Sequence, residues 1–385
     1  MASYFQIVRQ RVRQRQFRSL FLFVTSRCNS RCRTCFYFDQ LNRRDDLSFD
    51  QIRTISQTAP PFEKLWLSGG EPFLRPELAE IVILFARQNG VRNVNLPTNG
   101  LLPDKIFAAL DRILCEAPDL TIDLNFSLDG LSETHDFIRG VPENFRRTLK
   151  TISEAERRYR GIYRLRRNVL TVITSQNYYE LVQLARQLAA EANLDGHYFE
   201  ALRGVTPDQT LKQLTTEQLR DLHRRLMPIH RHYARKLFAR YPPWVQHLAT
   251  VYYLGNLRLH FDLHEQCFDK PRPWPMPCTA GQTTLVVDHN GKFRACELRG
   301  VVGDLREYDY DVRAALASRA MKAEIAAIRQ ANCWCTHSCF IQESSKFSPR
   351  VQLFTIPWAW WRQRGEQLAD LPAEQLKQFR NLEIT

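Results

Sequence analysis

Three cysteines stand at positions 28, 32 and 35 in the stretch VTSRCNSRCRTCFYF, directly after an apolar run from Leu20 to Val24 that reads as a buried strand. Thiols at this spacing, on a loop at a strand end, are soft metal ligands, and three of them leave one coordination position open. A structural zinc site pairs a CxxC with a second one or with histidines, which an isolated uneven triad does not provide. The chain has ten cysteines in 385 residues, too few for a disulfide scaffold, so clustered cysteines are read as metal ligands in a reducing compartment. Cys115 and Cys267 stand apart; the other eight fall into groups.

A loop ligand set needs a scaffold, and the chain is large enough to supply one. At 44% hydrophobic and 11% aromatic, it can bury one large α/β domain and a smaller one. Apolar runs LFLFVT, KLWLSG, NVNLPT, IDLNFSLDG, VLTVIT and HYFEAL alternate with helix-like segments near 48–59, 76–89, 103–115, 143–160 and 178–193. Strands separated by helices imply parallel neighbours, because only a crossover joins parallel strands. Parallel barrels gather their chemistry at the C-terminal strand ends. The cysteines follow the first run, SGGEP the second, PTNG the third and SLDG the fourth.

This ordered set resembles the radical S-adenosylmethionine (SAM) superfamily over roughly residues 18–205. The resemblance implies an α/β fold, a partial (β/α)6 TIM-like barrel, in which Cys28, Cys32 and Cys35 hold three irons of a 4Fe-4S cluster. The amino and carboxylate groups of SAM chelate the fourth iron. Reductive cleavage of SAM then yields a 5′-deoxyadenosyl radical that abstracts hydrogen from a substrate. By the same resemblance Gly69, Gly70, Glu71 and Pro72 receive the SAM ammonium, while Thr98, Asn99, Ser127 and Asp129 contact the ribose or methionine moiety. Arg139 meets the SAM carboxylate. The residue before the third cysteine, often aromatic in this superfamily, is Thr34 here, which leaves Phe36, Tyr37 or Phe38 to contact the adenine. A reductant such as flavodoxin or ferredoxin is implied as partner.

A second group lies downstream. Cys278, Gly291 and Cys296 flank LVVDHNGKFRA, which reads as a hairpin with an Asn-Gly turn that brings the two thiols toward each other. Cys333, Cys335 and Cys339 follow in NCWCTHSC. The arrangement resembles the auxiliary-cluster domain called SPASM, or its shortened form, called twitch, and implies one auxiliary 4Fe-4S cluster. Cys278 and Cys296 are its expected ligands, completed by two of Cys333, Cys335 and Cys339. Cys335 and Cys339 are favoured, because both thiols of a CxC rarely point at one cube. His337 is a candidate ligand, but a histidine between ligating cysteines is more often a donor beside the cluster or simply exposed.

The expected organisation is a basic amphipathic segment over 1–19, the barrel over 20–205, a helical bridge over 206–275, the auxiliary domain over 276–345 and a tail over 346–385. Candidate catalytic residues are His197, Glu200 and Arg203 at the sixth strand, with Arg203 facing an anionic substrate group. The net charge of +13 points to an anionic partner. With no apolar run long enough to span a bilayer and no secretory signal, the expected location is the cytoplasm. Arginines in the first segment and Trp358, Trp360 and Trp361 in the tail suit peripheral contact with an anionic membrane. The functional expectation is a radical SAM oxidoreductase acting on C–H bonds of an anionic small molecule or lipid precursor. The alternatives are a peptide-modifying radical SAM maturase and, from another class, an RNA-binding protein with structural metal sites. The chain lacks RNP-type aromatic motifs, so nucleic acid ranks last.

Overall fold

The computed structural model describes residues 17–270 and 272–364; most of the basic N-terminal segment and the end of the tail lie outside them. Six parallel strands, β1 (Ser19–Thr25), β2 (Lys64–Gly69), β3 (Asn93–Thr98), β4 (Thr121–Ser127), β5 (Leu165–Ile173) and β6 (Gly196–Ala201), lie side by side in chain order. All six expected strands form. All seven residues of β1 are buried, which is why the run is apolar without alternation: both faces are covered. The crossovers are the helices α1 (Phe49–Thr58), α2 (Leu78–Asn89), α3 (Pro103–Glu116), α4 (Ser132–Arg139), α5 (Asn144–Arg158) and α6 (Leu181–Glu191). Their starts are written locally: Ser48 and Gln51 form a reciprocal capping box ahead of α1, and Pro103 opens α3 at a position that needs no N–H donor. The short helix α4, ending at Gly140 in a left-handed conformation (φ +63°), was not expected as a separate element.

The expected bridge is two long helices, α7 (Thr216–Phe238) and α8 (Pro243–Asp269), packed on each other and broken at Tyr241–Pro242. The hairpin that follows, β7 (Thr284–Val287) and β8 (Lys292–Arg294), turns through Gly291 at φ +88°. It does more than join two cysteines. β7 pairs in parallel with the free edge of β1, and β8 and β9 (Gly303–Asp304) extend the sheet to nine strands. The sheet therefore remains open, with the auxiliary region grown onto the edge that a closed barrel would seal.

Helices α9 (Val312–Ala317), α10 (Arg319–Gln330), α11 (Ser338–Ser345) and α12 (Ile356–Arg364) follow. Phe340 of α11 stacks on Phe21 of β1 (5.3 Å between ring centres), and Phe21 stacks on Trp66 of β2 (5.2 Å). This aromatic column packs the C-terminal cysteine region against the inner face of the barrel. Among the described residues no helix is long and apolar enough to cross a membrane. Because Phe340 is buried and Phe354 is exposed, Phe340→Ala is expected to cost about 3–5 kcal/mol in chemical denaturation, while Phe354→Ala stays within about 0.5 kcal/mol.

Candidate metal and cofactor site

The triad sits on the loop that leaves β1, and this loop is held from two sides. On one side Arg31 N and Arg33 N donate to the carbonyls of Arg139 (3.2 Å) and Ile138 (2.8 Å) at the end of α4. On the other, Gly70 N donates to Thr25 O and Glu71 N to Arg27 O, each at 2.8 Å. A Cβ on Gly70 would lie 2.0 Å from Arg27 O, and one on Gly69, at φ +117°, 2.2 Å from Thr25 O. The glycines expected to let a ligand approach thus first let the β2 turn approach the cysteine loop. Asn42 Oδ1 accepts from Cys28 N (3.0 Å) and Cys35 N closes onto Cys32 O (3.2 Å).

Charged groups surround the thiols. Arg139 Nη1 points at Cys32 Sγ (3.7 Å), and its Nε pairs at 2.7 Å with Asp129, whose side chain is fully buried. Asp129 also accepts from Val172 N (2.8 Å), so it acts as the anchor of Arg139. Glu71 is buried and accepts from Asn99 N (2.8 Å) and Phe73 N (3.3 Å); burial pushes its carboxyl up to about 7 against these bonds. Asn99 Nδ2 in turn reaches Asn29 and Ser30 on the cysteine loop (2.7 and 3.0 Å). Thr98 Oγ1 accepts from Gly100 N, Ser127 ends β4 half-buried, and Pro72 opens a short 3-10 turn.

Tyr37 is placed differently from an adenine contact. Its ring is buried 4.5 Å from Phe23, and its hydroxyl meets His289 Nδ1 at 2.6 Å on the β7–β8 turn. Phe36 is half-buried and Phe38 exposed.

The candidates at β6 separate by strand alternation. His197 faces the helices, stacked on Phe199 (4.1 Å) and bonded to Thr171 Oγ1 (2.8 Å), so it is a core residue. Glu200 and Arg203 sit together (2.9 Å), and Arg203 also approaches Glu297 (3.8 Å). Glu297 bonds the fully buried His337. Sequence reasoning missed this network; Glu297 directly follows Cys296, and that adjacency was its one signal. Two carboxylates beside Arg203 compensate its charge, which leaves it poorly suited to bind a free anion.

The donor chemistry fits Fe–S clusters better than single ions. Thiolates around one zinc converge to about 2.3 Å from it, and among the described residues no three His, Cys, Asp or Glu side chains converge on one ion. A cube takes each thiolate on a different iron and so spreads its ligands. Cys28 and Cys35 are pushed up to about 12 and 11 by burial, as are Cys278 and Cys335, to about 11 and 12. Such thiols ionise when metal binds, with release of protons. In the downstream group, Cys278 and Cys296 lie in each other's field and in that of Cys333 or Cys335. Burial raises the Cys339 thiol most, Glu200 and Glu297 add to it, and Arg203, which also lies in the field of Cys335, opposes it with Lys64.

Comparison with known proteins agrees with this geometry. Residues 22–188 match the Radical SAM superfamily. A GTP 3',8-cyclase of Haemophilus influenzae is 28% identical over 142 residues, 34% of this chain and 42% of that protein. A tungsten-containing aldehyde ferredoxin oxidoreductase cofactor-modifying protein of Pyrococcus furiosus is 29% identical over 202 residues, 49% of this chain and 53% of that one. The chain thus spans about half the length of these curated relatives. Among solved structures, anSMEcpe with bound AdoMet has a TM-score of 0.59 at 16% identity, covering 94% of this chain and 99% of that one. Streptococcus suis SuiB bound to S-adenosylmethionine has a TM-score of 0.53 at 17% identity, covering 83% and 69%. With the cysteine loop and the GGEP turn inside the matched stretch, residues 22–188 carry a Radical SAM domain.

Proposed function

We propose that this protein binds a 4Fe-4S cluster through Cys28, Cys32 and Cys35 and acts on C–H bonds of a substrate held between β6 and the auxiliary region. The observation that carries this reading is the mutual locking of the cysteine loop, the Gly69–Glu71 turn and Arg139. Bound there, the cluster and SAM supply one-electron cleavage of SAM and hydrogen abstraction by its adenosyl fragment. The chain's own groups bind and orient. Glu71 receives the SAM ammonium, Arg139 supplies positive charge beside Cys32, and Asp129 positions Arg139. Asn99 ties the β3 end to the cysteine loop, and Thr98 and Ser127 line the rim.

Cys278, Cys296, Cys333 and Cys335 are the proposed ligands of an auxiliary 4Fe-4S cluster, since their thiols share one electrostatic neighbourhood. Cys339, favoured from spacing alone, is proposed to face Glu200 and Arg203. The substrate wall formed by Glu200, Arg203, Glu297 and His337 offers hydrogen bonds and compensated charge, which favours a polar group over a free anion. A peptide substrate is the second reading, supported by the fold likeness to anSMEcpe with bound AdoMet and Cp18Cys peptide, with a TM-score of 0.54 at 16% identity over 95% of this chain.

The proposed workplace is an anionic membrane surface. Trp244, Leu248 and Tyr252 recur every fourth residue on α8 and are exposed. Alongside them run Leu353, Phe354, Trp358 and Trp361, with the Arg362 guanidinium over the Trp358 ring (4.1 Å). No acidic residue occurs from 344 to 364. Exposed aromatics beside arginine are the composition of a membrane interface.

Three outcomes are expected. Anaerobic protein holds about eight irons, Cys28, Cys32 and Cys35 changed together to Ala leaves about four, and Cys339→Ala retains about eight by iron analysis. SAM affinity, measured by anaerobic titration calorimetry, rises about tenfold between about pH 6 and pH 8 as the Glu71 carboxyl ionises, and Glu71→Gln abolishes the rise. Co-sedimentation with anionic vesicles at low salt is lost in a Trp358→Ser, Trp361→Ser variant and weakens with salt; binding unchanged by both removes the membrane from the account.

A further inference from the structure

Behind the cysteine loop lies a cleft of about 710 Å³, outside the residues proposed to hold SAM or substrate. One wall is the loop after the third cysteine, the other the chain that follows the GGEP turn. Arg27, Arg43, Arg44 and Arg75 line it against two acids, Asp46 and Glu77. Both acids are engaged: Asp46 binds Thr25 Oγ1 (2.6 Å) and Ser26 N (2.8 Å), and Glu77 pairs with Arg75 (2.8 Å).

The arginines divide into two kinds. Arg75, buried, is spent on Leu47 O (2.8 Å) and Glu77. Arg27, Arg43 and Arg44 are exposed, and among the described residues no carboxylate lies within ion-pair distance of them. Arg43 donates to the backbone oxygen of Asp39 (2.8 Å). A small anion would be held by buried, pre-oriented donors, and the one buried arginine here already serves Val24 O, Leu47 O and Glu77. Three long, exposed, uncompensated arginines instead suit the acidic surface of a protein, where unlike charges steer encounter and fix orientation.

The position of the cleft selects the partner. Arg27 directly precedes Cys28, and Asn42, also in the wall, accepts the hydrogen bond from Cys28 N. A protein seated here rests against the backbone that carries the half-exposed Cys28. Electron transfer falls steeply with distance, and a donor seated here would lie close to a cluster held by the triad. We infer that the Arg27–Arg43–Arg44 cleft is the docking surface for a small acidic electron-carrier protein that reduces this cluster. The inference rests on the proposed radical SAM activity for what the electron does, and on the cleft alone for where the partner binds.

The test uses the anaerobic holoprotein with a purified bacterial flavodoxin as probe. Binding is measured by biolayer interferometry, and 5′-deoxyadenosine formation is driven in parallel by reduced flavodoxin or by dithionite, which needs no docking surface. The variant R43Q/R44Q is expected to weaken flavodoxin binding about tenfold at low salt and to flatten its salt dependence. Flavodoxin-driven product should fall in step, with the dithionite-driven yield unchanged. The control R157Q/R160Q, at the exposed end of α5, should leave binding unaltered. Equal binding by R43Q/R44Q, equal loss in the control, or no binding by the wild type at low salt would each overturn the inference. Absence of product with dithionite in the wild type would instead strike the radical SAM reading, and the binding arm would still decide the cleft.

Discussion

Two backbone segments cross at van der Waals distance where β1 and β2 end, and side chains are excluded from the crossing. Residues 25–27 offer carbonyls, residues 70 and 71 offer N–H groups, and neither glycine position tolerates a Cβ. Through this contact the cysteine loop and the turn bearing Glu71 become one rigid body. Glu71 then receives Asn99 N from the end of β3, and Asn99 returns to Asn29 and Ser30 on the loop. The ends of three neighbouring strands are closed into a ring of hydrogen bonds before any ligand is considered. A parallel sheet makes this possible, because it delivers all its strand ends to one rim.

Charge follows a consistent pattern around that ring. Buried ions are costly unless paired, and removing one partner of a buried pair is costlier than removing both. Asp129 with Arg139 obeys this rule beside the triad, and Glu200, Arg203, Glu297 and His337 obey it at the junction with the auxiliary region. Glu71 is the exception: a buried carboxyl whose partners are neutral donors, held near neutrality in its ionisation. Burial dominates its ionisation, and the field of Arg139 opposes it only in part.

Much of this was legible in the chain. The six strand runs and the motifs at their ends located the sheet and the cysteine loop, because short apolar or alternating runs recur between helix-length segments. The Asn-Gly turn located the hairpin. What the chain did not disclose were relations between distant segments. Nothing local in LVVDHNGKFRA says that its first strand will pair with β1, or that His289 will take the hydroxyl of Tyr37. His197 looked available because alternation along a strand leaves its phase undetermined until one face is known to meet helices. Arg203 looked free because its second carboxylate, Glu297, is 94 positions away. Spacing favoured Cys339 over Cys333, and nothing in that spacing discloses that the neighbouring Phe340 packs on Phe21 of β1.

The central claim is that the crossing of the two strand ends builds the SAM-binding cluster site, independently of the auxiliary region. Gly70→Ala addresses it directly, by placing a methyl group 2.0 Å from Arg27 O where the backbone must give way. The measurement is electron paramagnetic resonance of the reduced variant with and without SAM, alongside circular dichroism to establish that it is folded. The account predicts a folded protein that keeps the auxiliary-cluster signal and shows no change in the spectrum on adding SAM. A Gly70→Ala variant whose spectrum responds to SAM as the wild type does would contradict it.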